Sequence, residues 1–280
     1  MIHKVIELNI DYKKIDTVSP KNKPTLSLYF PSNSSEIEAD RKRPTVIICP
    51  GGGYEFTTDR EAEPVALKFL AEDCNVAVLR YSVSPVRFPA QITELALAVS
   101  IIRKNAKEYN VDTEKIAILG FSAGGHLTAT YCNLWNKGFI KEYFGFENEE
   151  NKPNGMILCY PVITSGEKTH IATVDNILGD KKYDPELLDL ISAEKQVNAH
   201  TPPAFIWHTF EDQGVPVENS LLMASALAEK KINTELHIFP KGPHALSICD
   251  ISADSKLSHK KEFEHYSVWV KQAIHWLKNL

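Results

Sequence analysis

Long apolar runs are missing from this sequence. Nowhere do ~18 apolar residues follow one another, which argues against a transmembrane helix. Dense positive charge is also missing. Beyond Arg41-Lys42-Arg43 no block of Lys and Arg stands out, and the net charge over 280 residues is −5, so neither a nucleic-acid nor a membrane partner is expected. Paired cysteines are absent. The five present (Cys49, Cys74, Cys132, Cys159 and Cys249) stand singly, without C-x-x-C spacing and mostly in apolar surroundings. That pattern predicts buried, reduced thiols in a cytoplasmic protein. The start, Met1-Ile2-His3-Lys4-Val5, lacks a basic stretch leading into a long apolar segment and a small-residue cleavage site, which points to the same compartment. No H-E-x-x-H and no His/Asp cluster at ligand spacing occurs, so no metal is expected.

What is present suits an ordinary globular domain, 43% hydrophobic and 24% charged. Its length fits one large domain, 1–280, able to bury about three quarters of its unfolded surface and so to hold strained loops. Val5–Ile10 and Leu26–Phe30 read as strands that could pair antiparallel, followed by a polar surface loop, 32–43. The continuous apolar run Thr45–Cys49 then suits a strand buried on both faces of a parallel sheet. From there strand-length runs (Val76–Leu79, Ile116–Leu119, Met156–Tyr160, Ala204–Trp207, Glu235–Phe239) alternate with helical patterns (Glu63–Ala71, Gln91–Tyr109, a helix to about Trp135, Asn219–Lys231, Glu262–Leu280). Such alternation predicts a three-layer α/β fold: a mostly parallel sheet of about eight strands with helices on both faces. The stretch 163–202 holds no strand candidate and only short helical signals around Ile177-Leu178-Gly179 and Pro185–Leu188. It reads as an irregular insert, either a lid or substrate wall or a long surface excursion.

Two motifs bear chemistry. Gly120-Phe121-Ser122-Ala123-Gly124 fits G-x-S-x-G between an apolar strand and an apolar helix, the turn in which a serine takes a strained conformation with its hydroxyl exposed. Gly120 and Gly124 are small because side chains there would collide across the bend. The plainer reading is a helix start capped by serine. Pro50-Gly51-Gly52-Gly53-Tyr54 ends the Thr45–Cys49 strand, and its backbone amides, with that of Ala123, can receive a developing oxyanion. A phosphate loop would need Lys-Ser/Thr after the glycines, and a dinucleotide fingerprint would need glycine where Phe56 stands, so no cofactor is expected.

A serine nucleophile needs a histidine base and an orienting carboxylate, in chain order Ser, Asp/Glu, His for this fold. Asp212 fits, in the loop after Phe205-Ile206-Trp207-His208. Glu211 is the nearest rival, and Asp184 and Asp189 lie in the insert. Among the histidines, His237 sits inside a strand and His259, His265 and His275 in or near the closing helix. His126 and His208 read as packing or pocket-edge residues, and His244 follows a late strand in a loop at the expected sheet edge. His244 is the base on this reading.

With these residues placed, the sequence resembles the α/β-hydrolases, and within them the acetyl-esterase group described as acetylxylan-esterase-like or sugar hydrolases. The resemblance spans nearly the whole chain. It rests on Cys49–Tyr54, Arg60-Glu61-Ala62-Glu63-Pro64, Leu79-Arg80-Tyr81-Ser82, Gly120–Leu127, Thr201-Pro202-Pro203 with His208-Thr209, Asp212 with Val215-Pro216, and Gly242-Pro243-His244. It implies Ser122 as nucleophile, Asp212 as orienting acid, His244 as base, and Gly52, Gly53 and Ala123 as the oxyanion hole. The sequence departs from the pattern at Pro50, where many esterases have His and where proline stiffness is expected to replace a side-chain prop. It departs again at Ala245, where Gly is frequent.

The expected activity is hydrolysis of short-chain acetyl esters of sugars or xylo-oligosaccharides through an acyl-enzyme. The polar insert (Glu167-Lys168, Asp180-Lys181-Lys182) argues against a long-chain lipase. The alternatives are a prolyl-oligopeptidase-like serine peptidase, for which 280 residues leave no room for a propeller, and a non-catalytic binder, which would be expected to lack one of the three residues. Homo-oligomerisation stays open. Arg60, Arg80 and Arg87 read as structural ion-pair residues in preference to substrate contacts.

Overall fold

A computed structural model describes residues 1–254 and 261–280. Its frame is one eight-stranded sheet in the order β1-β2-β4-β3-β5-β6-β7-β8. The strands are β1 Ile2–Glu7, β2 Thr25–Phe30, β3 Arg43–Cys49, β4 Asn75–Arg80, β5 Val111–Phe121, β6 Gly155–Cys159, β7 Ala204–Thr209 and β8 Thr234–Phe239. β1 pairs antiparallel with β2 and β2 with β4; every other pairing is parallel. The expected mostly parallel sheet with an antiparallel start is therefore what forms.

Alternation of side chains splits the core in two. Val46, Ile48, Ala117, Leu119, Ile157, Phe205 and Trp207 face α1 (Glu63–Ala71) and α8 (Val268–Lys278). Their neighbours Ile47, Ile118, Met156, Leu158 and Ile206 face α2 (Ala90–Lys104), α3 (Ala123–Leu134) and the later helix Glu218–Glu229. Both faces of the central strands are thus buried, which is why their sequences are apolar throughout. All five cysteines are buried and free. No helix among the described residues is long and apolar enough to cross a membrane.

Boundaries differ by more than two residues in four places, the simplest being β5, which starts at Val111 and not at Ile116. The first strand is Ile2–Glu7, not Val5–Ile10: from Leu8 the chain leaves the sheet and enters a 3-10 turn at Tyr12–Ile15, whose buried Tyr12 anchors it. The helix expected to reach Tyr109 stops at Lys104, because the Asn105 side chain donates back to Ile101 O at 2.7 Å and closes its end. The closing helix is α-helical only from Val268. Its first part, Lys261–Ser267, is 3-10, with Phe263 and Tyr266 buried three residues apart as that period requires. His259 lies outside the described residues. Gly138–Phe144, a seven-residue helix, carried no sequence signal strong enough to find it.

Candidate active site

β3 and β5 are neighbours, yet the chain leaves β3 toward β4 and returns on the other side through β5, which opens a crevice at their carboxyl ends. The glycine loop after β3 and the turn after β5 both end there.

Ser122 occupies that turn at φ 52°, ψ −118°, a conformation costing a side chain about 1–3 kcal/mol. The surroundings hold it in place. Ser122 N–H donates to Cys159 O at 3.0 Å, and Ser122 O accepts from His126 N–H at 3.0 Å and Val162 N–H at 3.1 Å. The close approach also fixes the glycines. A Cβ on Gly120 would lie 2.1 Å from Gly124 O, and one on Gly124 would lie 2.0 Å from Cys49 O. Ser122 is no mere cap, since its side chain makes no capping hydrogen bond to α3.

The Ser122 hydroxyl instead meets His244 Nε2 at 2.8 Å, and His244 Nδ1 meets Asp212 Oδ2 at 2.7 Å. Asp212 is fully buried, and burial alone would raise its pKa. The hydrogen bonds from His208 and His244, with the electrostatic pull of His244 and the Val215 amide, override that and hold the carboxyl well below the usual range. Ionised, it can only accept, so His244 carries its proton on Nδ1 and turns the Nε2 lone pair to the Ser122 O–H. Asp212 Oδ1 accepts from Gly214 N–H at 2.8 Å and Val215 N–H at 2.9 Å. Gly214 leaves room for His244: a Cβ there would sit 3.0 Å from His244 Cβ.

The rival carboxylates go elsewhere. Glu211 is exposed, Asp184 caps the short helix Pro185–Ile191, and Asp189 pairs with Lys195 at 2.9 Å. His237 is bound to Glu235 at 2.7 Å. His126 is buried, accepts from Tyr54 O–H at 2.9 Å and donates to Ile191 O at 2.8 Å; burial lowers its pKa to about 4. His208, expected from the sequence to be a packing or pocket-edge residue, has a further part. Its Nε2–H donates to Asp212 Oδ2 at 3.2 Å and Val215 O at 3.0 Å, while Nδ1 accepts from Ser220 O–H at 2.8 Å, so it is a second donor to the buried acid.

Gly52 (φ 129°) and Gly53 (φ 63°) take conformations that favour glycine, and a Cβ on Gly52 would strike Phe56 O at 2.2 Å. Among the described residues the N–H groups of Gly52, Gly53 and Ala123 donate to no protein acceptor. Gly52 and Gly53 border the same cavity as Ser122, and Ala123 is the first residue of α3, at the positive end where negative charge is favoured.

The loop does have side-chain props, which the sequence reading assigned to proline stiffness. The buried Glu61 carboxylate accepts from Gly51 N–H at 2.8 Å and Tyr160 O–H at 2.6 Å, and Tyr81 O–H donates to Pro50 O at 2.6 Å. Burial raises the Glu61 pKa, opposed by those same hydrogen bonds. Tyr160 also accepts Ser247 N–H at 2.9 Å and sets its ring edge-on to His244, 5.1 Å between centroids. Glu61 and Tyr160 therefore join the glycine loop to the loop that carries His244. Glu61 belongs to the Arg60–Pro64 motif, and its burial is what the sequence alone does not signal. Ala245 sits at φ 64°, the region glycine prefers, with its carbonyl held by Arg60 Nη2 at 3.3 Å.

Arg80 pairs with Asp59 at 2.6 Å and donates to Thr57 O and Thr58 O, as expected of a structural residue. Arg87 clamps the insert through the carbonyls of Asp175 and Asn176, and Arg60 lines the cavity. The insert carries the helix Ile171–Leu178, with Asn176 donating to Gly53 O at 2.9 Å, so it packs against the glycine loop. The resulting cavity is about 200 Å³, bordered by Gly52, Gly53, Arg60, Ser122, His170 and His244. Among the described residues no cluster of three or more His, Cys, Asp or Glu side chains could hold a metal ion.

Comparison with known proteins adds the relationship. Residues 26–227 match the BD-FAE family. The chain is 41% identical over 217 residues to an endo-1,4-beta-xylanase B of Butyrivibrio fibrisolvens, covering 75% of this chain and 34% of that protein. It is 31% identical over 208 residues to an acetylxylan esterase of Xylanibacter ruminicola, covering 71% of this chain and 40% of that one. The chain thus spans well under half the length of either relative. An acetyl ester-xyloside bifunctional hydrolase from Caldicellulosiruptor lactoaceticus superposes with a TM-score of 0.81 at 32% identity, covering 99% of this chain and 96% of that one. A family match over most of the chain, with a superposition on that hydrolase over 99% of it, makes the chain a member of the BD-FAE family with the α/β-hydrolase fold.

Proposed function

We propose that this chain is a serine carboxylesterase that cleaves short-chain esters, acetyl esters of sugars or xylo-oligosaccharides, within a single α/β-hydrolase domain. The observation that carries the reading is the Ser122–His244–Asp212 relay, at 2.8 and 2.7 Å, with three nearby amides that have no protein acceptor among the described residues. In the mechanism, His244 Nε2 takes the Ser122 proton as Oγ attacks the ester carbonyl. The carbonyl oxygen, now negative, is received by the amides of Gly52, Gly53 and Ala123. His244 returns the proton to the leaving alcohol, and the acyl group stays on Oγ. Water then attacks the acyl-enzyme, giving its proton to His244, and Ser122 is restored as the carboxylic acid departs.

Three things support a short acyl group on a polar alcohol. The cavity, about 200 Å³, is smaller than the ~300–1,000 Å³ usual for drug-sized ligands. The insert that walls it is polar. Relatives bear the names acetylxylan esterase and acetyl ester-xyloside hydrolase. On p-nitrophenyl esters from acetate to octanoate, kcat/KM should fall steeply with chain length, and Ser122→Ala should lose several orders of magnitude. A series that rises with length would refute the acyl preference, and a near wild-type rate in Ser122→Ala would refute the mechanism.

A further inference from the structure

One side chain of the insert enters the cavity above Ser122. His170, immediately before the helix Ile171–Leu178, is half-buried and borders the same space as Gly53, Ser122 and His244. Its Nδ1 is engaged with Thr173 Oγ1 at 2.9 Å, which fixes the ring. Another edge faces the glycine loop, with Cε1 3.9 Å from where a Cβ on Gly53 would stand. Loop and ring are clamped together, since Asn176 of the same helix donates to Gly53 O at 2.9 Å. Among the described residues Nε2 has no protein partner.

Burial first, then the nearby His244, lower the His170 pKa, so at neutral pH the ring is uncharged, with one nitrogen donating and the other accepting. Whichever role Nε2 takes, a hydroxyl satisfies it, because a hydroxyl both donates and accepts. An alkyl chain would leave it unpaired at a cost. Two more features stand at the same lip. Phe56 is 56% exposed although its backbone N–H is tied to Gly52 O at 3.2 Å, and Arg60 brings a guanidinium held by Ala245 O. An open aromatic face beside a neutral imidazole and a guanidinium suits a ring whose C–H face is apolar and whose edge bears hydroxyls.

The geometry points to an alcohol-side subsite in which His170 Nε2 hydrogen-bonds a hydroxyl of a polyhydroxylated leaving group, with Phe56 against its ring and Arg60 at its edge. This rests on the esterase reading above and makes His170 a specificity-determining residue for it.

The test compares kcat/KM on an acetylated methyl xyloside with kcat/KM on p-nitrophenyl acetate, whose leaving group has no neighbouring hydroxyl. In His170→Ala the xyloside-to-nitrophenyl ratio should drop about tenfold, the size of one lost hydrogen bond, and in His170→Gln it should drop less. Phe56→Ala should lower the same ratio. A ratio within twofold of wild type in His170→Ala overturns the subsite, as does wild-type enzyme that turns over the nitrophenyl ester but no acetylated sugar. Loss of nitrophenyl turnover and of fluorophosphonate labelling in the wild type would instead overturn the esterase reading, so the two failures are told apart.

Discussion

Replacing Asp212 by asparagine puts the sharpest strain on the account. Oδ1 receives two backbone N–H groups, at 2.8 and 2.9 Å, and Oδ2 receives imidazole N–H groups from His244 at 2.7 Å and His208 at 3.2 Å. An amide supplies one oxygen and one NH2. If the NH2 faces the backbone pair, two donor–donor conflicts arise, each costing about 1–3 kcal/mol. The two imidazoles, unlike the backbone amides, can move their proton to the other ring nitrogen, so the oxygen will stay with the backbone and the NH2 will face His244 and His208. For His244 the consequence is direct. Its Nδ1 must then accept, the ring proton moves to Nε2, and the lone pair that should take the Ser122 proton is gone. A wrong-tautomer base of this kind costs about 10⁴ in kcat, some 5.5 kcal/mol of barrier. The assay is kcat on p-nitrophenyl acetate at pH 7.5, with circular dichroism to check the fold. A folded Asp212→Asn enzyme retaining more than a tenth of wild-type kcat would refute the tautomer argument.

Glu61→Gln leaves one acceptor for two donors, Gly51 N–H and Tyr160 O–H. The glycine loop should loosen and kcat should fall about 10- to 100-fold with KM little changed; an unaltered kcat would show that the carboxylate does not prop the loop. Gly124→Ala sets a Cβ 2.0 Å from Cys49 O and 2.5 Å from Pro50 O, so thermal denaturation should show a loss of about 1–3 kcal/mol together with a slower reaction. A wild-type Tm and rate would mean that the turn has slack. Burial depresses the His126 pKa from 6.5 to about 4, so the unfolded chain binds the extra proton between those values. The stability His126 contributes is whole above pH ~6.5 and is lost toward pH ~4, a change of about 3 kcal/mol. Urea titrations should show wild type losing that much more than His126→Gln across the window, and parallel curves would contradict it.

Much of this arrangement is legible in the sequence because it is local. The apolar run 45–49, the glycines after it and the Gly120–Gly124 turn each announce their own backbone, and alternating strands and helices imply which sheet edge gathers them. Asp212 and His244 follow from chain order and from their places after β7 and β8. What stayed hidden depends on partners far apart in the chain. Glu61 reads as one acidic residue among several until Tyr160, 99 positions later, is found donating to it. His208 looks like packing until Asp212 folds back over its Nε2, and His170 has no motif, only a position set by the anchored insert. The 3-10 start of the closing segment escapes for a similar reason: Tyr266 is drawn in by stacking on Phe239, 4.1 Å between centroids, and local helical propensity does not decide it.

Incubation with a fluorophosphonate, followed by peptide mass mapping, asks directly whether the residue 122 oxygen is the attacking atom. The account predicts one stoichiometric adduct on Ser122, formed at a rate that collapses in His244→Ala. An adduct on another residue, or continued ester turnover by protein whose Ser122 is fully blocked, would contradict it.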